Sequence, residues 1–286
     1  EGDDGPEIHG SMVFVAVGPG GKANAINRLI PKTPEEKELF ERGERANAER
    51  KRGRETSLKT SIPTQDEVAK LHTAMNAPAR SSGSRLMSAT QLQAVHLMQP
   101  QERNRAGKIF GGFLMREAYE LAYATASSFA AASGSALKTG CGAPTLLAVD
   151  DVTFSHPVSI GDVVLLEARV AYTGGNEVDG MEQVPDDGGL TCPNRLPALS
   201  QIRVELFIIN LATGEKRATN EFHFTFFNRR AGTAPTPGGA FKVESVPLVP
   251  VLPVTYQEGM VWLDGRRRML ATLTAAYRLG SYVTAS

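Results

Sequence analysis

Four alanines, Ala118, Ala122, Ala126 and Ala130, recur at every fourth position of one helix-forming run, and this spacing constrains the fold more than any other feature. Leu114, Leu121, Thr125 and Phe129 complete the periodicity, so residues 112–132 are expected to form one long helix with a stripe that another element can approach closely. About 20 helical residues span roughly 30 Å. The surrounding runs, at residues 91–98, 145–154, 162–173, 199–211 and 217–228, read as strands. Two of them alternate. Ile202, Val204, Leu206 and Ile208 stand against Arg203, Glu205 and Phe207, and Phe222, Phe224 and Phe226 against His223, Thr225 and Phe227. Such alternation predicts one buried face. Residues 212–216 supply a hairpin loop between these two strands. The expected fold class is α+β, an antiparallel sheet against a single long helix.

Composition excludes several kinds of chain. The balance of 31 basic against 31 acidic residues in 286 gives no global field, which argues against a nucleic-acid partner. Two cysteines, Cys141 and Cys192, allow at most one bridge, so there is no disulfide framework. The five histidines show no Cys/His ligand spacing, and no metal is expected. No apolar run approaches the roughly 20 residues that a membrane helix needs. The chain starts at Glu1 without Met, so any targeting segment is expected upstream.

The stretch Asn104-Arg105-Ala106-Gly107-Lys108-Ile109-Phe110-Gly111-Gly112 joins a strand to the long helix. Two glycines at a helix mouth let backbone approach a ligand, and the first helical N–H groups there lack intrahelical partners. Such donors suit an anion or a polarised carbonyl oxygen. Read as Asn-x-x-Gly-x-Ile-Phe-Gly-Gly-x-Leu-Met, the stretch resembles the signature of hotdog-fold acyl-CoA thioesterases. Residues 149–162, Val-Asp-Asp-Val-Thr-Phe-Ser-His-Pro-Val-Ser-Ile-Gly-Asp, resemble that family's second block, in the right order and spacing. The segment Gln99-Pro-Gln-Glu-Arg-Asn104, with Phe110 where many relatives carry His, is similar to the mitochondrial double-hotdog branch.

This resemblance implies a sheet wrapped around the helix and hydrolysis of acyl-CoA to a free acid and CoA, by water, without cofactor. It implies carbonyl-binding N–H groups at Gly111 and Gly112, and an Asn104 side chain that orients water or thioester. The alternative for Asn104 is an Asx turn that ties down the loop. Single-hotdog relatives place an Asp on the helix eight residues after the first glycine, and here that position is Tyr119. Glu120 is the adjacent carboxylate, but one residue turns it by about 100° around the helix; Glu117 is likewise off that line. The general base is therefore expected from a partner hotdog unit, with Asn104, Gly111 and Gly112 as one half of a composite site. Arg103, Arg105 and Lys108 flank the turn as candidates for the CoA phosphates, with Phe110 beside them and Arg229, Arg230 and Arg266–Arg268 as further cations.

The remaining segments fit around this unit. Residues 1–24 read as a strand remnant of a first hotdog unit, 25–90 as a helical linker, 91–228 as the hotdog domain and 229–286 as an extension with a short helix ending at Arg266–Arg268. Thr33 to Glu36, Thr64 to Glu67 and Thr255 to Glu258 are capping boxes. The first opens a charged helix to about Arg54, with Glu38–Arg42 and Glu41–Arg45 pairs; the second opens a helix to about Met75. Residues 174–198 read as a mobile surface insertion. His96, His156 and His223 are expected to pack rather than react, and Cys141 has no placed activator.

Two other functions compete: an impaired acyl-CoA-binding or scaffolding repeat, favoured by Tyr119, and a hotdog dehydratase or hydratase, which wants a His where Phe110 stands. The expected partners are acyl-CoA and a second hotdog unit, from a missing repeat or an oligomer. The branch points to mitochondria, with the cytosol as the alternative.

Overall fold

The structure is a computed structural model, and it describes residues 15–16, 18, 22–55, 57–77, 83–137, 143–174, 199–228 and 248–278. Most of the strand remnant expected at residues 1–24, the insertion after Gly174, both cysteines, Arg229 and Arg230 lie outside the described residues. The chain divides into two compact units, Glu1–Thr60 and Ser61–Ser286.

In the first unit, α1 (Pro34–Glu55) opens on the expected capping box: Glu36 N donates to Thr33 Oγ1 at 3.2 Å and Thr33 N to Glu36 Oε2 at 3.1 Å. Of the two ion pairs expected along it, Glu41–Arg45 forms at 3.9 Å, whereas Glu38–Arg42 does not come within ion-pair distance. Both positions are exposed, where the Coulomb gain barely offsets side-chain entropy.

The second unit contains α2 (Gln65–Asn76), β1 (Arg85–Leu86), β2 (Leu92–Leu97), α3 (Gly111–Leu137), β3 (Pro144–Phe154), β4 (Val163–Thr173), β5 (Leu199–Ile209), β6 (Lys216–Asn228), β7 (Val251–Leu252) and α4 (Tyr256–Arg278). Five strands form one antiparallel sheet in the order β2-β4-β5-β6-β3. The short β1 and β7 pair in parallel apart from it.

Helix α3 touches all five strands, so the sheet curls around it as expected. The alanine stripe makes that possible, since Ala118, Ala122, Ala126 and Ala130 are buried against Val164, Leu166, Ile202, Val204 and the Phe222–Phe224–Phe226 row. The helix runs five residues further than the periodicity indicated. Ser133, which reads as a breaker, is fully buried and its Oγ accepts the Val249 N–H at 3.3 Å, so docking overrides local propensity.

Two expectations are corrected. The sheet is not buried on one face only, because His223 and Thr225 on the opposite face are also buried, at 2% and 0% exposure. The cover is α4, which packs across β4 and β5. Nor is α4 a short helix ending at its arginines: it continues to Arg278. Gly265 lets it approach the sheet, since a Cβ there would lie 2.9 Å from Ala171 Cβ, and one arginine ties it to α2 while another bonds within the helix. Arg267 makes a two-pronged bond to Glu67 of α2 at 2.6 and 2.7 Å, and Arg268 Nε donates to Asp264 at 2.8 Å.

Candidate active site

The two motif blocks, about fifty residues apart in sequence, are stitched together in space. Ile109 N donates to Val158 O at 2.9 Å, Lys108 pairs with Ser159 as a β-bridge, and Lys108 Nζ donates to Ser159 Oγ at 3.1 Å. Gly161, at φ +85°, makes the tight entry into β4, and Asp162 Oδ2 accepts the Ser159 N–H at 2.8 Å. The Pro-turn and Gly-Asp pattern is thus the platform on which the glycine turn rests.

Asn104 closes its own loop. Its Oδ1 accepts the N–H groups of Ala106 at 2.8 Å and Lys108 at 3.1 Å, and Gly107, at φ +70°, completes the turn. This is the Asx turn weighed above. The carboxamide oxygen is committed to the loop, and the NH2 group is the part that the turn leaves unengaged among the described residues.

Phe110 N donates to Glu102 O at 2.8 Å, which fixes the residue before α3. Phe110 O then accepts from Phe113 N at 3.1 Å and Leu114 N at 3.3 Å. The N–H groups of Gly111 and Gly112 have no acceptor among the described residues. Aromatic rings flank both glycines. A Cβ on Gly112 would collide with the exposed ring of Phe110, and one on Gly111 would lie 2.9 Å from Cζ of Phe154. The clash is the harder to relieve at Gly111, where the ring belongs to Phe154 packed on buried Phe222, and the easier at Gly112, where the ring is the exposed Phe110.

The other expected site residues scatter. Arg103 and Arg105 are exposed with no ion pair among the described residues, whereas Lys108 is engaged with Ser159. Glu120 points into solvent, 62% exposed, with Arg116 at 3.7 Å. Tyr119 packs its ring against Phe224 and Phe226, with centroids 6.1 and 6.2 Å away, and supplies no carboxylate at the family's acid position.

Tertiary structure also makes a pair that sequence reading had treated as separate residues. Glu117 of α3, whose side chain is 11% exposed, lies 3.3 Å from His96 Nε2 on β2 and 3.1 Å from Arg116. With Arg116 and His96 both on its carboxylate, Glu117 fastens edge strand to helix. Its only sequence signal was an alternating position in β2 facing a helical carboxylate, which no local pattern joins.

On the outer face, Glu221, His223 and Asp264 bring their ligand atoms within 4.8 Å of one another. The carboxylates are already matched by cations, with Arg203 Nε 3.1 Å from Glu221 Oε1 and Arg268 Nε 2.8 Å from Asp264 Oδ2. Burial pushes the His223 imidazole below its ordinary pKa against the upward pull of Glu221, 2.7 Å away. A dication would have to displace two guanidiniums from an enclosed site, so this network is read as the fastening of α4 to β6.

Residues 106–179 match the family described as the Thioesterase superfamily. The chain is 34% identical to mitochondrial acyl-coenzyme A thioesterase 9 of Bos taurus over 93% of its length, and 33% identical to the Homo sapiens protein of that name over 92%. It is 30% identical to a chloroplastic acyl-coenzyme A thioesterase 2 of Humulus lupulus over 89%. In each case the match covers 52% of the relative, so the chain spans about half the length of these curated relatives. Among solved structures, an acyl-CoA hydrolase from Staphylococcus aureus in complex with butyryl coenzyme A, coenzyme A and coenzyme A disulfide aligns at 17% identity and TM-score 0.50 over 68% of this chain and 96% of that one. An apo hexameric acyl-CoA thioesterase aligns at 21% identity and TM-score 0.50 over 68% of this chain and 97% of that one. These two likenesses concern the fold, a five-stranded antiparallel sheet curled around one long helix. The chain carries a hotdog domain of the thioesterase superfamily.

Proposed function

We propose that this chain hydrolyses acyl-CoA thioesters to a free acid and CoA, by direct attack of water. The observation that carries the reading is the pair of unengaged N–H groups at Gly111 and Gly112, held beside the Asn104 turn at the mouth of α3. Two such donors stabilise negative charge as it develops on the thioester oxygen, the interaction that lowers this kind of barrier most. The Asn104 NH2 group orients water or thioester beside them. Water adds to the carbonyl carbon, the tetrahedral intermediate collapses, and the CoA sulfur leaves with a proton.

Tyr119 leaves the family's acid position empty of charge, so the base that takes the proton from water comes from a second hotdog unit. Glu120, half a face away and paired with Arg116, is the weaker candidate for that role. The CoA phosphates are assigned to Arg103 and Arg105, which hold no ion pair among the described residues, with Lys108 at the Ser159 platform as the third cation. Mitochondria are the proposed compartment, a reading supported by the compartment named for the bovine and human relatives, which organelle fractionation would check.

The test is CoA release by the purified chain, alone and beside a longer chain carrying a further hotdog unit. Asn104→Ala is expected to lower kcat by about 10²-fold or more, as loss of one positioned donor does, while the lost Asx turn lowers the melting temperature by only a few degrees. Binding of acyl-CoA without release by the longer chain would overturn hydrolysis. The second reading, an acyl-CoA-binding repeat, is favoured by the apolar packing of Tyr119 and would then stand.

A further inference from the structure

We infer that α1 is an internal counterpart of α4, and that its apolar stripe docks on the outer face of the sheet of a hotdog unit preceding it in the same polypeptide. This goes beyond hydrolysis and does not depend on it.

The stretches Leu29–Arg45 and Val251–Arg267 share one pattern, apolar-apolar-Pro-x-Thr-x-x-Glu-x-x-apolar-aromatic-x-x-Gly-x-Arg. A pattern that recurs with its spacing intact marks a repeated structural unit. The two helix starts also match bond for bond. Glu36 Oε2 accepts the N–H groups of Lys32 at 2.6 Å and Thr33 at 3.1 Å, and Glu258 Oε2 accepts those of Val254 at 2.7 Å and Thr255 at 3.3 Å. In return Thr33 Oγ1 accepts from Glu36 N at 3.2 Å, and Thr255 Oγ1 from Glu258 N at 3.1 Å. A capping box requires the Thr and the Glu. It requires neither the aromatic residue nor the glycine that follows.

In α4 those further positions press the helix onto the outer face of the sheet. Val261 is 5% exposed, Trp262 lies edge-on to Tyr172 of β4 with centroids 5.0 Å apart, and Gly265 leaves no room for a Cβ beside Ala171. In α1 the same positions lie open. Leu39 and Phe40 are 56% and 39% exposed, and with Leu29, Ile30 and Gly43 they line a groove of about 420 Å³. A Cβ on Gly43 would meet nothing within 4 Å. A glycine inside a helix weakens it relative to alanine, so Gly43 is a cost to α1 with no local return. Close approach of a second surface supplies the reason, as it does at Gly265.

The equivalent face of α4 is covered by a hotdog sheet, which identifies the kind of occupant. Its source is the polypeptide ahead of α1, where the sequence reads as the last strand of such a unit and where the curated relatives, of which this chain spans about half, have length for one. The two helices differ at Glu41, which pairs with Arg45 where α4 buries Leu263. The α1 contact is therefore the narrower, centred on Leu39, Phe40 and Gly43.

The experiment is hydrogen exchange across α1, in this chain and in a longer chain carrying a further hotdog unit ahead of Glu1. Amides of residues 38–45 are expected to exchange at least about 10²-fold more slowly in the longer chain, and Leu39→Asp to remove that protection. Gly43→Leu is expected to act with opposite signs. In this chain it slows exchange, because leucine is the better helix former; in the longer chain it speeds exchange, because the close approach is lost. Equal exchange in both chains, or slowing by Gly43→Leu in both, would overturn the inference. So would protection already present in this chain and lost on dilution, since a second copy would then cover the face. Thioester cleavage enters none of these readouts, so failure of the hydrolase reading leaves them unchanged.

Discussion

Single residues here act through what they displace or exclude. Gly111 and Gly112 look equivalent in sequence but differ in their surroundings. The ring over Gly112 is that of Phe110, 59% exposed, whereas the ring over Gly111 belongs to Phe154, which is braced edge-on by buried Phe222. Gly112→Ala is therefore expected to change stability by less than about 0.5 kcal/mol and Gly111→Ala to cost about 1–3 kcal/mol, as measured by chemical denaturation. His223 makes a second prediction. It faces Glu221 on its own strand, Arg203 on β5, and Asp264 and Arg268 on α4, and burial holds its imidazole neutral. Its folded pKa lies below the unfolded value of about 6.5, so the unfolded chain takes up the proton first. Stability is then full above pH 6.5 and falls as the pH drops below it. Thermal melts should show His223→Gln losing that downward slope.

Among the elements, α3 is fixed by close approach rather than by large side chains. Its alanine stripe is 0–3% exposed against strands on every side, so there is no direction in which an added volume can relax. Ala122→Leu is expected to cost about 1–3 kcal/mol, or several degrees of melting temperature, while an exposed position such as Glu120→Gln stays within about 0.5 kcal/mol. Helix α4 shows the opposite logic. Its mean composition is polar, yet it is buried along much of its length, with Arg267 paired to Glu67 of α2, Asp264 3.9 Å from His223 of β6, and Arg268 held by Asp264 within the helix.

For the molecule as a whole, the second unit is fastened between residues 200 apart in sequence. The two-pronged Glu67–Arg267 bond joins α2 to α4, and together with the Thr64 backbone it draws the Glu67 carboxyl from 4.5 down to about 2. That stabilisation is complete above the unfolded pKa and is lost as the pH falls from about 4.5 towards 2. Glu67→Gln is expected to cost about 2 kcal/mol at neutral pH, a melting shift of roughly 4–8 °C in a unit of this size. Its penalty relative to the native chain should shrink through that acid window.

The sequence by itself determined the long helix and the five strands around it, the three capping boxes, the alanine stripe and the glycine turn, because these depend on neighbours within a few residues. It also fixed the two motif blocks, whose residues carry the family's pattern locally. Only the tertiary structure decided that α4 covers the outer face of the sheet and outlasts its arginines, that Ser133 continues a helix, and that His96 meets Glu117. It alone decided that Tyr119 belongs to an aromatic row. Each of these depends on which distant surfaces come together to exclude water, and a chain read residue by residue carries no distance between them.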